Sequence, residues 1–377
     1  MMEQKKTLGI RLGRALALCL LGASAAHGRD WVDFTVSGCK VEATDAPLTN
    51  FPVAVRISTA RIKGFRYSDI ASPDDLLFSS TESKAPYPFE VETWNHDGES
   101  VVWVRLPLVC TNTQFRMSFN LPPNRPANPD PTNVWSAANY RGVWHMNEYD
   151  ATTLLQPDSS GNGFAATYVS GMSDCGVGTT AAIGKAFYRN VGNGDTLSVT
   201  TPNLKSPMAM NWNSGAVLSG WGWWKGYTSI NQHPFFRVET SSTGSYAWGL
   251  NTKSTRIRSK FGTADPVLIG PGLNPASGWF HWAIRVTNKR YFEFFLNGKL
   301  LRSETHAGNS SKNQFTEYTS RSEWYARGAL GYLDEIRYQN GASSDEWIEA
   351  EYDSVKDPDF VVASPVHRGG KLILYVQ

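Results

Sequence analysis

Short alternations of apolar and polar residues run along most of the chain. W-V-D-F-T-V (31–36) and F-P-V-A-V-R-I (51–57) repeat every second residue, the period of a strand with one buried face. The strongest local pattern is Y-P-F-E-V-E-T-W-N-H-D-G-E-S-V-V-W-V-R-L-P-L-V (87–109). Two alternating runs flank N-H-D-G, so the pattern predicts a hairpin turning at Asp97-Gly98. Q-F-R-M-S-F-N (114–120) closes this first set. Further strands are predicted at V-L-S-G-W-G-W-W-K (217–225), W-F-H-W-A-I-R-V-T (279–287), Y-F-E-F-F-L-N-G-K-L-L-R (291–302) and A-L-G-Y-L-D-E-I-R-Y (329–338). Asn297-Gly298 predicts a second hairpin, because both residues tolerate positive φ. Helical spacing is confined to S-S-D-E-W-I-E-A-E-Y-D-S (343–354), where Ser343 or Ser344 caps the start and Trp347, Ile348 and Tyr352 share a face. The predicted class is all-β, with a sandwich in the second half.

The breaks between these runs suggest a domain plan. L-P-P-N-R-P-A-N-P-D-P-T-N (121–133) holds five prolines, which donate nothing to a ladder and favour extended linker backbone. We therefore expect a β domain over 29–120, a linker over 121–133, a second β domain over 134–356 and a tail over 357–377. K-L-I-L-Y-V in the tail reads as an added edge strand or a docking segment. Residues 1–28 read as a signal peptide: Lys5, Lys6, Arg11 and Arg14 precede the apolar run A-L-A-L-C-L-L-G-A and the small residues A-S-A-A. That run is shorter than the about 20 residues that span a bilayer. Leu18 before Cys19 does not suit lipid attachment. The expectation is export to the periplasm, the cell surface or the medium.

Composition changes this picture in one respect. The 377 residues carry 36 Lys and Arg against 34 Asp and Glu, a net +2. Residues 1–28 hold four of the basic residues and one acid, so the remainder is slightly acidic. No basic cluster predicts nucleic-acid binding. Cys39, Cys110 and Cys175 follow the leader, and export permits a disulfide. Cys39 and Cys110 fall in one predicted domain and are the expected pair, with three free thiols as the alternative.

The order of motifs carries a family resemblance. G-V-W-H-M-N-E (142–148), D-S-S-G-N-G (158–163), G-K-A-F (184–187), S-G-W (219–221), the strand and hairpin of 279–302, G-Y-L-D-E-I-R-Y (331–338) and W-I-E-A-E-Y (347–352) occur in the order of concanavalin A-like, laminin-G-type jelly rolls of bacterial surface proteins. Residues 31–120 resemble the domain of unknown function that precedes such jelly rolls and accompanies biopolymer-transport channels. That likeness rests on L-T-N-F-P-V-A-V-R, G-F-R-Y-S-D-I, D-D-L-L-F and the 87–104 hairpin. The resemblance implies a secreted or surface-displayed binding module.

Candidate chemistry is sparse. No G-x-S-x-G or H-E-x-x-H occurs. A β-sandwich glycosidase needs two carboxylates flanking a sugar bond. The adjacent pair Asp334-Glu335 is expected to point to opposite faces of a strand, and Glu349 and Glu351 lie on the predicted helix. Calcium seeks six to eight oxygens. D-S-S-G-N-G offers Asp158, and the resemblance places this loop near the G-Y-L-D-E strand, so Asp158 and Asp334, with Glu148, are the expected calcium ligands. The alternative is that Asp158 closes a turn on its own backbone and Asp334 bonds a neighbouring loop. Trp221, Trp223, Trp224 and Tyr227 form the candidate sugar-stacking cluster, with core packing as the competing role. The functional expectation is a non-catalytic binding or adhesion module for glycan or a cell-surface protein. A structural or protein-interaction module and a glycoside hydrolase are the alternatives.

Overall fold

The computed structural model describes residues 29–121, 129–148, 152, 155–164, 166–167, 175–189, 215–226, 237–239, 246–251, 256–259, 267–269, 278–287, 291–305, 317–319 and 330–369. Strands β1 (Asp30–Val36), β2 (Leu48–Ile57), β3 (Leu77–Ser80), β4 (Pro86–Tyr87), β5 (Phe89–Thr93), β6 (Ser100–Val109) and β7 (Thr113–Phe119) form the first lobe. Two antiparallel sheets result, with orders β1-β7-β3-β4 and β2-β6-β5. β1 alternates strictly between buried and half-buried residues, as its period-two sequence predicts. β2 and β6 do not. Phe51 to Val55 and Ser100 to Val104 are buried without interruption, the mark of strands covered on both faces.

The second lobe supplies that cover. It begins with α1 (Pro131–Ser136) and β8 (Tyr140–Trp144), followed by the pair β9 (Leu155–Gln156) and β10 (Ala166–Thr167). Next come β11 (Cys175–Gly178), β12 (Ala186–Arg189), β13 (Ala216–Gly226), β14 (Arg237–Glu239), β15 (Tyr246–Asn251), β16 (Arg256–Ser259) and β17 (Val267–Ile269). β18 (Phe280–Thr287), β19 (Tyr291–Leu296), β20 (Lys299–Thr305), β21 (Glu317–Thr319), β22 (Leu330–Asn340), α2 (Asp345–Lys356) and β23 (Val361–Ala363) complete it. An eight-stranded sheet of order β11-β12-β22-β13-β18-β19-β20, with β8 also on β22, accompanies a five-stranded sheet of order β17-β16-β15-β14-β21. The fold is all-β, as its sequence pattern predicts.

Both sequence-derived turns and the helix form, each for a local reason. Asn297 and Gly298 take φ of 50° and 74°, the two left-handed positions of a type I′ turn. The 87–109 hairpin also forms, although its tip is longer than a two-residue turn: Asn95 accepts from the Gly98 amide through its carbonyl and from the Asp97 amide through its side chain. α2 starts at Ser344, whose hydroxyl accepts from the Trp347 amide at 3.2 Å.

The described parts of the expected linker and tail pack on the first lobe. Pro131 opens α1, with Asp130 as its N-cap. The Asp130 amide donates to the Phe89 carbonyl at 2.9 Å, fastening the end of the Pro-rich stretch to the first lobe. β23 adds to the first lobe's sheet beside β1, and the His367 amide donates to the Trp31 carbonyl. One apolar cluster runs through both lobes, from Val53 and Trp103 to Trp135, Trp221 and Trp347. The segment 371–376 lies outside the described residues. The expected disulfide is absent: Cys39 and Cys110 are free thiols. Cys110 Sγ instead lies 3.6 Å from Thr113 Oγ1 across its own turn. Cys175 sits on β11, its side chain outside the described residues.

Candidate functional site

The chemistry concentrates where the lobes meet. Strand alternation puts Glu90 and Glu92 of β5 on one face. β8 brings His145 at its end, and β22 brings Asp334, Glu335 and Arg337. A bulge arranges the last three. Ser219 of β13 pairs with Arg337, yet Trp221 pairs with Asp334, so β22 carries one extra residue across this step. Glu335 absorbs it with a left-handed φ of 46°, a conformation that costs about 1–3 kcal/mol in a non-glycine residue. Gly220 faces the bulge because nothing larger fits: a Cβ there would lie 2.5 Å from Ile336 and 2.8 Å from Trp282. The expectation that Asp334 and Glu335 point to opposite faces is therefore corrected. The bulge breaks the alternation, setting Asp334 and Arg337 opposite the same-face residues Trp221 and Ser219.

These side chains interlock. His145 lies between two carboxylates, with Nδ1 2.6 Å from Glu335 Oε1 and Nε2 3.2 Å from Glu90 Oε2. Arg337 donates to Glu335 Oε2 at 2.5 Å and to Glu351 Oε1 of α2 at 3.2 Å. Its guanidinium rests over Trp103 and Trp135, 4.3 and 4.8 Å from the ring centroids. Glu90 also accepts from Trp135 Nε1 at 2.5 Å and from Ser159 Oγ at 2.6 Å. Burial opposes charge on all of these groups. The opposite charges outweigh it at His145, whose pKa is held well above the imidazole range by Glu335 and Glu90. Against burial, His145 likewise holds Glu90 and, with Arg337, Glu335 below the usual carboxylate range.

Two carboxyls lack such compensation. Burial and the charge of Glu335 push Glu92 up to about 8. Its Oε2 accepts from Trp103 Nε1 at 2.7 Å, while Oε1 is buried without a partner. Asp334 is fully buried, and burial with the charges of Glu335 and Glu92 raises it well above the carboxylate range. Its Oδ2 accepts from the amides of Ala182 and Ile183 at 2.8 and 3.1 Å, and Oδ1 has no partner. Both carboxyls close on the same turn. Gly184 there has φ +56°, and a Cβ on it would meet Glu92 Oε1.

Above Glu92 the interface opens into a cleft of about 590 Å³. Thr93, Trp94 and Asn95 of the first lobe face Asn147, Glu148, Thr179 and Lys185 of the second. A concave site between lobes with an aromatic wall, convergent amides and a carboxyl of shifted pKa has the anatomy of a small-ligand site.

The expected calcium ligands are not gathered. Asp158 Oδ1 accepts from Val143 and Ser160 amides at 3.0 and 2.9 Å, and Oδ2 from the Phe164 amide at 3.0 Å. It therefore closes its own loop, the alternative role. Glu148 is exposed at the cleft, and Asp334 lies in the buried network. Among the described residues the group able to converge on one ion is Glu92, His145 and Glu335, whose donor atoms lie within 4.8 Å of one another.

The expected aromatic cluster divides. Trp221 is core, stacked on Tyr352 of α2 at 5.4 Å. Trp223 is half-buried in a row that crosses four adjacent strands: Tyr188, Tyr332, Trp223 and Trp279, with centroids 5.4 to 6.4 Å apart between successive members. Nothing is described of the Trp224 side chain, and Tyr227 lies outside the described residues. Sequence reasoning missed Glu92, His145, Arg337 and Trp94 as site residues. The E-V-E alternation of β5 was the available signal for Glu90 and Glu92, but nothing local marks their meeting with residues over 50 positions away.

Residues 187–349 match the family model Laminin_G_3 of the concanavalin A-like lectin/glucanases superfamily. No curated protein matches the chain. Among solved structures it is similar to a Trypanosoma rangeli sialidase, with 13% identity over 68% of this chain and a TM-score of 0.44. The chain spans 41% of that protein's length. It is also similar to domain 4 of AbnA, a GH43 extracellular arabinanase from Geobacillus stearothermophilus in complex with arabinotriose. There the identity is 16%, over 56% of this chain and 97% of that domain, with a TM-score of 0.42. The binding domain of botulinum neurotoxin serotype G gives 13% identity over 57% of this chain and 50% of that one, with a TM-score of 0.40.

Proposed function

We propose that the protein is an exported, non-catalytic glycan-binding module whose primary site is the cleft between the lobes. The observation that carries this reading is the cleft lining. Trp94 supplies a flat apolar wall for the C–H face of a sugar. Asn95, Asn147, Glu148 and Lys185 surround it with the donors and acceptors that hydroxyl groups need. The concanavalin A-like match over 187–349 is consistent with a binding role. Binding is favoured over cleavage by the state of the acids. Both oxygens of Glu335 are engaged by His145 and Arg337. Glu92, which has the pKa of a general acid, keeps Oε2 on Trp103 and Oε1 enclosed.

The test is a glycan-array screen of the full chain, followed by titration of the best ligand into Trp94→Ala, Lys185→Ala and Trp223→Ala. Saturable binding that weakens at least tenfold in the first two variants supports the cleft. Loss confined to Trp223→Ala would move the site to the aromatic row of the sheet, which is the second reading. A blank array overturns the glycan assignment and leaves a cell-surface protein as the ligand class.

A further inference from the structure

The buried group beneath the cleft has donors that nothing within the fold satisfies. Five carboxyls, Glu90, Glu92, Asp334, Glu335 and Glu351, gather around the two cationic side chains His145 and Arg337. Glu90, Glu335 and Glu351 have hydrogen-bond partners on these cations. Glu92 and Asp334 do not. Each uses one oxygen on a neutral donor and buries the other without a partner. Leaving such an atom unsatisfied costs about 1–3 kcal/mol, and more when it is charged. Glu92 and Asp334 reach the 182–184 turn from opposite lobes, and at Glu92 the unused oxygen can be met by a positive ligand. The space beside it already holds one imidazole nitrogen and one Glu335 oxygen within 4.8 Å of Glu92. The donor set is thus one imidazole and two carboxylates, a mixture suited to zinc or manganese rather than to calcium's all-oxygen shell. Backbone strain falls on the same spot: Glu335 and Met146, next to His145, both have left-handed φ, 46° and 60°. The interlobe cleft, with Glu92 in its lining, provides the way in.

We propose that Glu92, His145 and Glu335 bind one divalent transition-metal cation, of the zinc or manganese type, that bridges the two lobes. The site stands apart from the glycan reading, since it lies beneath the cleft and needs no sugar. Binding is an exchange of protons for metal. The proton between His145 and Glu335 leaves to solvent, and the cation takes its place.

The test is calorimetric titration of ZnCl2, and separately MnCl2 and CaCl2, into the metal-stripped full chain at pH 7. It is run in two buffers of different ionisation enthalpy. The expected result is one ion per chain for zinc or manganese, with at least one proton released and affinity falling at least tenfold from pH 7 to pH 6. Glu92→Gln should weaken binding at least tenfold while circular dichroism stays unchanged. Should a variant fail to fold, anomalous diffraction from zinc-soaked wild-type crystals decides instead, with a peak at His145 expected. Absence of binding, affinity independent of pH, or an anomalous peak only elsewhere would each overturn the proposal.

Discussion

Asp158 and Asp334 are two aspartates of similar sequence prospect that the fold treats in opposite ways. Asp158 sits in a loop whose own backbone turns the Ser160 and Phe164 amides onto its two oxygens, with a third amide from Val143 of the adjacent β8. Its partners are mostly local, so the loop is complete when the chain folds. Asp334 sits on a bulge inside the lobe interface, with one oxygen on two amides and one on nothing. The difference teaches where function can reside. A carboxylate that is saturated by backbone donors holds structure, whereas one buried with unused capacity is costly unless something else uses it.

The sharpest way to break this comparison is at Arg337. Arg337→Met should cost about 3–5 kcal/mol, read as a drop in Tm and in the denaturant midpoint, because it leaves buried Glu351 with only the Ser219 hydroxyl and Glu335 with only His145. Asp158→Ala should cost less, about 1–3 kcal/mol, since neutral amides and not charges lose their acceptor. If the two losses came out equal, the distinction between ionic seam and self-contained loop would fail.

Glu92 sharpens the comparison through pH. Its carboxyl titrates near its ordinary 4.5 when unfolded and near 8 when folded. Between these values the folded state holds more protons, so the contribution of Glu92 is fully present below 4.5 and is lost as pH rises to about 8. Glu92→Gln should flatten the fall in stability over that window, measured by denaturation at successive pH values. The smallest effect is expected at Lys40, which reaches Glu349 and Asp353 of α2 at 2.6 and 2.8 Å but is mostly solvated. Lys40→Ala should change stability by about 0–1 kcal/mol, with any effect fading at high salt.

Much of the fold was legible in advance where its causes are local. The type I′ turn at 297–298 follows from two residues that accept positive φ. The start of α2 follows from Ser344, acidic residues in the first turn and helical spacing of Trp347 and Ile348. Trp221 takes the competing core role, buried against Tyr352, and not the sugar-stacking role its cluster suggested. The site was far less legible. Period-two reasoning separated Asp334 from Glu335, and one inserted residue reversed that. Trp94 and Trp103 lie on one hairpin, and its local pattern gives neither a functional role. Only the second lobe distinguishes them, burying Trp103 under Arg337 and leaving Trp94 at the cleft.

The sequence by itself determined the all-β class, the strands of strongest alternation, the turn at Asn297-Gly298 and the capped helix near the end. Each depends on residues a few positions apart, whose backbone preferences and alternation act before any tertiary contact forms. The tertiary structure alone decided that the Pro-rich stretch ends in a helix docked on the first lobe, and that β23 returns to β1. It also decided that Glu90, Glu92, His145, Asp334, Glu335, Arg337 and Glu351 meet in one buried network. The reason is physical. Charge coupling and desolvation depend on distance in space, and a bulge with a left-handed glutamate is stable only when the packing around it over-determines the strain.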